Sequence, residues 1–114
     1  MPQRGEVWCV DLDPARGHEQ GRKRPAVIVS DDQFNNGPAG LLVVVPLTTK
    51  ERERIPLRFR IEPPEGGLTQ TSFALCEMVR SISKERLVGS SPLGKISERS
   101  LSAIAYRLRT LLDL

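Results

Sequence analysis

The sequence predicts a mainly β fold, a small antiparallel barrel with one C-terminal helix, and three observations point to it. Short apolar, β-branched runs follow one another and are joined by Gly-, Pro-, Asn- and Asp-containing loops instead of helices. Residues 57–61 alternate apolar and basic side chains, the period-two pattern of a strand with one wet face. The best helical periodicity lies at the end of the chain. Five or more strands with loop connections close most simply into a barrel.

Each element has its own signal. Residues 5–12, Gly-Glu-Val-Trp-Cys-Val-Asp-Leu, read as a first strand that Asp13-Pro14 breaks. A polar loop over residues 16–24 follows, and residues 25–30 form a second, apolar strand. Asp31 and Asp32 are placed to cap a short helical turn through Phe34, before Asn35-Asn36-Gly37-Pro38 reverses the chain. Residues 41–45 are apolar on both faces, as a central strand requires, and end at Pro46-Leu47-Thr48-Thr49. A charged loop spans residues 50–54. In the next strand Leu57, Phe59 and Ile61 face one way, and Arg58 and Arg60 form a basic face. Pro63 to Gly67 make a turn. Residues 71–82 are long enough for one bent strand or two consecutive ones, and Glu77 and Arg80 interrupt their apolar run. Ser97 is placed to cap the terminal helix, whose Leu101, Ile104, Ala105, Leu108, Leu111 and Leu112 form a core-facing stripe.

A chain of 114 residues suits a single domain, residues 1–114, with one modest core and one site. There is no long apolar segment to span a bilayer and no signal-peptide pattern at the start, so a cytoplasmic location is expected. The net charge of +3 is too small to identify a polyanionic partner by itself, and 4% aromatic residues are too few for a base-stacking platform. Two cysteines, Cys9 and Cys76, and one histidine make no zinc set. The cysteines read as buried and reduced, and no cofactor or metal is expected.

The chemistry concentrates between Gly17 and Ser30. His18, the sole histidine, precedes three consecutive cations, Arg22, Lys23 and Arg24, and Pro25 leads from them into the second strand. Proline fixes its own φ and biases Arg24 toward extended backbone, which aims the guanidinium at the strand entry. Three such cations read either as a solvated turn or as an anion site. The arginine fork matches phosphate oxygens, and the Pro25 mount with His18 favours the anion site. Glu77 is a carboxylate in an apolar run and needs a cation or a task. It acts either as a base or in a pair with Arg80.

With those residues set out, a resemblance enters. Arg4-Gly5-Glu6-Val7-Trp8, Asp11-Leu12-Asp13-Pro14, Gly17-His18-Glu19-Gln20, Arg24-Pro25-Ala26-Val27-Ile28-Val29-Ser30, Val45-Pro46-Leu47-Thr48 and the closing residues 108–114 resemble the MazF/PemK (Kid) family of toxin–antitoxin toxins, in order and over nearly the whole chain. The resemblance implies a homodimeric SH3-like barrel of the MazF/CcdB type. It implies an endoribonuclease that cuts single-stranded RNA at a short sequence without a metal, leaving a 2′,3′-cyclic phosphate and a 5′-hydroxyl. It also implies an antitoxin whose acidic tail blocks the RNA groove, with DNA bound only through the antitoxin complex.

By the same resemblance Arg24 and Thr48 match the catalytic pair of MazF-type members. His18 and Glu77 fall at the histidine and aspartate positions of PemK-type members. The arginine expected two residues before the aspartate is Leu75 here, so Arg24 and Thr48 form the preferred centre, with His18 and Glu77 supporting it. Arg24, charged at all working pH values, suits phosphorane stabilisation. His18 suits proton transfer or, equally, a hydrogen bond to a base or ribose. Arg16, Glu19, Gln20, Arg22, Lys23, Lys50, Arg80 and Ser81 are the candidate RNA contacts. The alternative is a barrel toxin that cuts nothing and binds a protein target such as gyrase, or that serves mainly in an antitoxin–DNA repressor complex.

Overall fold

The computed structural model describes residues 2–19, 21–51 and 56–114. Seven strands among them, β1 (Glu6–Asp11), β2 (Lys23–Ile28), β3 (Leu41–Thr48), β4 (Arg58–Ile61), β5 (Ser72–Leu75), β6 (Arg80–Ser83) and β7 (Gly94–Lys95), form one antiparallel sheet ordered β4-β5-β3-β2-β1-β7, with β6 also paired to β3. Two helices are added, the single turn α1 (Asp32–Asn35) and the terminal α2 (Glu98–Leu112). No described helix is long and apolar enough to cross a membrane.

The sheet curls because β3 serves two partners on one edge. Its residues 41–44 pair with β6 and its residues 47–48 with β5, and Pro46 falls between the two ladders. A proline there removes no bond on that edge, which is how a strand so central carries one. Beyond β6, Leu87 bridges to Val10 and the Val88 amide donates to the Cys9 carbonyl at 2.8 Å, so the run β1-β2-β3-β6 returns upon β1. The mainly β barrel expected from the sequence is therefore the observed fold.

Strand pleating divides the apolar side chains between two cores. Trp8, Val10, Leu12, Ala26, Ile28, Leu42, Val44 and Ile82 fill the inside of the curl. Val7, Val27, Val45, Leu47, Ile61 and Ala74 point the other way, toward Leu101 and Ile104 of α2. β3 is apolar on both faces for this reason. Ser97 caps α2 by accepting from the Ser100 amide at 3.1 Å, as its sequence position suggests. Glu65 supports that cap, its Oε2 accepting from the Ser97 amide at 3.0 Å.

Several expectations shift. β2 begins at Lys23, so Lys23 and Arg24 are strand residues where the sequence placed them in the loop. Residues 71–82 resolve into two strands, β5 and β6, separated by a 3-10 turn at Cys76–Met78. Cys76 thus lies in a turn. Both cysteines are free, Cys76 buried and Cys9 only partly so. Burial pushes the Cys76 thiol up to about 11, which keeps it protonated and unreactive. On α2 the stripe is core only as far as Leu108; Leu111 and Leu112 are 38% and 56% exposed. The basic face of β4 is half wet: Arg60 is 61% exposed, whereas the Arg58 side chain is 9% exposed.

Candidate active site

The loop before β2 is built to present Arg24. The Leu12 amide donates to the Arg22 carbonyl at 2.9 Å, and the Arg22 amide donates to Asp13 Oδ1 at 2.7 Å, which holds Arg22 in left-handed backbone at φ 66°. Arg86 braces the same turn by donating from Nη1 to the carbonyls of Asp11 and Asp13 at 3.0 and 2.6 Å. Gly21 fits where a side chain would not: a Cβ there would stand 2.7 Å from Asp13 Oδ1 and 2.9 Å from the Ala15 Cβ. The Gly21 carbonyl then accepts from Arg24 Nε at 2.8 Å. That bond fixes one edge of the guanidinium and turns the other edge outward.

Register brings the second residue to the same place. The β2–β3 ladder ends with Ala26 opposite Pro46, and Arg24 and Thr48 each lie two residues beyond that pair, near the start of β2 and at the end of β3. Both lie on the pleat face that carries Ala26, Ile28 and Val44 farther in, so they stand at the mouth of the inner core. The Thr48 Oγ1 accepts from the Lys50 amide at 3.2 Å, which leaves its own O–H to donate outward.

These groups line an open cleft of about 700 Å³ that also includes His18, Glu19, Lys50, Arg58 and Met78. Among the described lining residues, the five cations Arg22, Lys23, Arg24, Lys50 and Arg58 share it with one carboxylate, Glu19. Such a wall attracts a polyanion and has the forks and point charges to bind phosphates. A smaller cavity of about 180 Å³ adjoins it, with Glu19 and Met78 common to both and with Glu77 and Arg80 in its lining.

Of the residues singled out in the sequence, His18, Glu19, Arg22, Lys23, Arg24, Thr48 and Lys50 meet in the larger cleft. Glu77 and Arg80 meet in the smaller one. Arg16 is exposed and lines neither; its amide donates to Glu19 Oε1 at 2.7 Å and so shapes the loop. Ser81, exposed on β6 opposite Val43, also lies outside both. Gln20 and residues 52–54 of the charged loop are outside the described residues. Among the described residues no three of His, Cys, Asp and Glu group as a metal-holding set.

Glu77 pairs with a different cation from the one its sequence neighbourhood offered. Its Oε2 accepts from Arg58 Nε at 3.0 Å and Nη2 at 2.9 Å, while Oε1 is buried without a partner among the described residues. Arg80 is three residues away in sequence, but Glu77 sits within the 3-10 turn at Cys76–Met78 and Arg80 begins β6 beyond it. Arg58 reaches Glu77 because it stands opposite Leu75 across the β4–β5 ladder, two residues before Glu77. Arg58 is the site residue that sequence reasoning missed. Its signal was present: a lone carboxylate in an apolar run asks for a cation, and the alternation of residues 57–61 supplied one on the facing strand.

Known proteins share this architecture. The family described as the PemK-like, MazF-like toxin of type II toxin–antitoxin systems matches residues 3–112. The chain is 39% identical to the endoribonuclease MazF9 of Mycobacterium tuberculosis strain ATCC 25618 / H37Rv, over all of this chain and 98% of that protein. Among solved structures it is similar to MazF from Deinococcus radiodurans, with a TM-score of 0.84 at 25% identity over 99% of this chain and 97% of the other. It is also similar to an endoribonuclease from a mycobacterial species in complex with its cognate antitoxin, with a TM-score of 0.79 at 27% identity over 100% and 97% of the two chains. The chain therefore belongs to the PemK-like, MazF-like toxins of type II toxin–antitoxin systems.

Proposed function

We propose that this toxin is an endoribonuclease that cleaves single-stranded RNA by metal-independent transesterification in the cleft of Arg24 and Thr48. The observation that carries the reading is the outward edge of a tethered Arg24 guanidinium in one cleft with Thr48 and four further cations. The relatives named as endoribonucleases supply the reaction class.

In this reaction the ribose 2′-hydroxyl attacks the adjacent phosphorus. The P–O2′ bond forms through a phosphorane, the P–O5′ bond breaks, and the products carry a 2′,3′-cyclic phosphate and a 5′-hydroxyl. The 2′-hydroxyl proton leaves to a base, and the departing 5′-oxygen takes up a proton. Arg24 stabilises the phosphorane oxygens through its planar fork of donors and donates a hydrogen bond toward the leaving oxygen. Thr48 orients the phosphate or the 2′-hydroxyl through its free O–H. His18, exposed in the loop over the cleft, moves a proton or holds a base or ribose. Lys23, Arg22 and Lys50 track flanking phosphates, and Glu19 accepts from a base edge.

The same cationic wall suits the acidic segment of a cognate antitoxin, which would exclude RNA by occupying the cleft. A second copy of the chain completes the toxin, and DNA is engaged only through the antitoxin complex. The test is an RNA with one 2′-deoxy residue at a mapped cut. The reading expects that cut alone to disappear and every remaining 5′ fragment to end in a cyclic phosphate. Cleavage that persists at the deoxy position contradicts the transesterification.

A further inference from the structure

Arg58 and Glu77 make a poor structural pair. Both charges are largely withdrawn from water, at 9% and 19% side-chain exposure. Both arginine nitrogens meet a single oxygen, Oε2, and the other oxygen is buried with no partner among the described residues. Burial strips each ion of its hydration, and an unpaired oxygen adds to that cost, so a well-packed apolar pair would stabilise the fold at least as well. The pair spans the wall between the two cavities: Arg58 lines the larger with Arg24 and Thr48, and Glu77 lines the smaller.

We propose that Arg58 is the second anion-gripping side chain of the cleft, and that Glu77 is its positioning residue. The inference rests on the endoribonuclease reading above and extends it. The β4–β5 ladder fixes the backbone of Arg58 opposite the buried Leu75. Glu77 Oε2 occupies the Nε–Nη2 edge, so Nη1 is the donor left for a ligand, with no partner among the described residues. Arg24 is tethered in a similar way, with Nε on the Gly21 carbonyl. Two arginines, each held by Nε and each presenting Nη donors to one cleft, form a preorganised receptor for the phosphate oxygens on which charge builds.

The test compares single-turnover cleavage, melting and binding in the full chain. Arg58→Met with Glu77→Leu removes both charges at similar volume. We expect an unchanged or raised melting temperature and cleavage lowered about 10²–10³-fold, the usual loss for one transition-state donor. Arg58→Lys, which keeps the charge without the fork, is expected to fall about tenfold or more and covers the case in which the double variant fails to fold. Glu77→Gln keeps an acceptor for Arg58, so a small loss with an unmoved pH–rate profile supports a positioning role. Disappearance of a limb of that profile overturns it in favour of proton transfer by Glu77.

A single-stranded RNA made uncleavable by a 2′-deoxy residue separates the two claims. Loss of one phosphate contact flattens the slope of log affinity against log salt by about 0.7. Wild-type protein that binds this RNA with Arg58-dependent salt sensitivity but never cuts its all-ribose counterpart overturns the endoribonuclease reading alone. A folded double variant that cuts within about twofold of wild type and binds with the same slope overturns the Arg58 assignment alone.

Discussion

Arg24 donates from Nε to the carbonyl of Gly21 at 2.8 Å, a bond that closes over only three residues and ties the first residue pair of the cleft to the loop before β2. The guanidinium is thereby aimed before any ligand arrives. Preorganisation of that kind is worth more in a transition state than an equivalent flexible charge, because no reorganisation is needed as the reaction proceeds.

Gly21 is accordingly more than a loop residue. Gly21→Ala sets a methyl 2.7 Å from Asp13 Oδ1 and 2.9 Å from the Ala15 Cβ, so the loop must shift and carry its carbonyl with it. Cleavage is expected to fall about 10–100-fold, in line with the sensitivity of catalysis to displacements near 1 Å, while melting changes little. Wild-type cleavage by this variant contradicts the tether.

Thr48 is tested by its hydroxyl. Thr48→Ala removes the acceptor of the Lys50 amide and the donor that faces the cleft, and about a tenfold or greater loss of cleavage is expected. Thr48→Ser restores the hydroxyl and most of the rate. Equal rates for the alanine and serine variants would make Thr48 a packing residue of the strand end.

Glu65 links the turn after β4 to the start of α2 in a pH-dependent way. Partial burial alone would push its carboxyl up, but hydrogen bonds from Ser100 and Ser97 outweigh that and hold it below the ordinary carboxylate value. A group with a lowered folded-state pKa contributes stability fully above the unfolded value and loses it as pH falls through the folded one. Glu65→Ala is expected to cost about 1 kcal/mol at neutral pH, and the difference from wild type to shrink below pH ~4. Melting curves at pH 7 and pH 3 check it; a difference that grows in acid contradicts the assignment.

Much of this was legible in the chain. Apolar runs, the Ser97 cap and Asp13-Pro14 marked the strands, helix and loop because those signals act within a few residues. The meeting of Arg24 and Thr48 in one cleft was not local: it depends on the pairing of β2 with β3, and only the family resemblance joined the two residues in advance. Glu77 shows the same boundary more sharply. Its need for a cation was readable from its apolar neighbours, but the partner came from nineteen residues away across a ladder, whereas sequence proximity favoured Arg80. The exposed Leu111 and Leu112 mark another limit, since periodicity reports which face of a helix is apolar and not where its support ends.

The central claim is that Arg24 organises metal-free RNA cleavage, and one assay addresses it directly. Wild-type protein and Arg24→Ala, each shown to be folded and free of antitoxin, are incubated with a long, weakly structured RNA in excess EDTA, and cut sites and end groups are mapped. The account predicts wild-type cuts at a short recurring sequence, ends bearing cyclic phosphate, and loss of about 10²–10³-fold or more in Arg24→Ala. Undiminished cleavage by Arg24→Ala, or none by the wild type across varied RNAs, would contradict it.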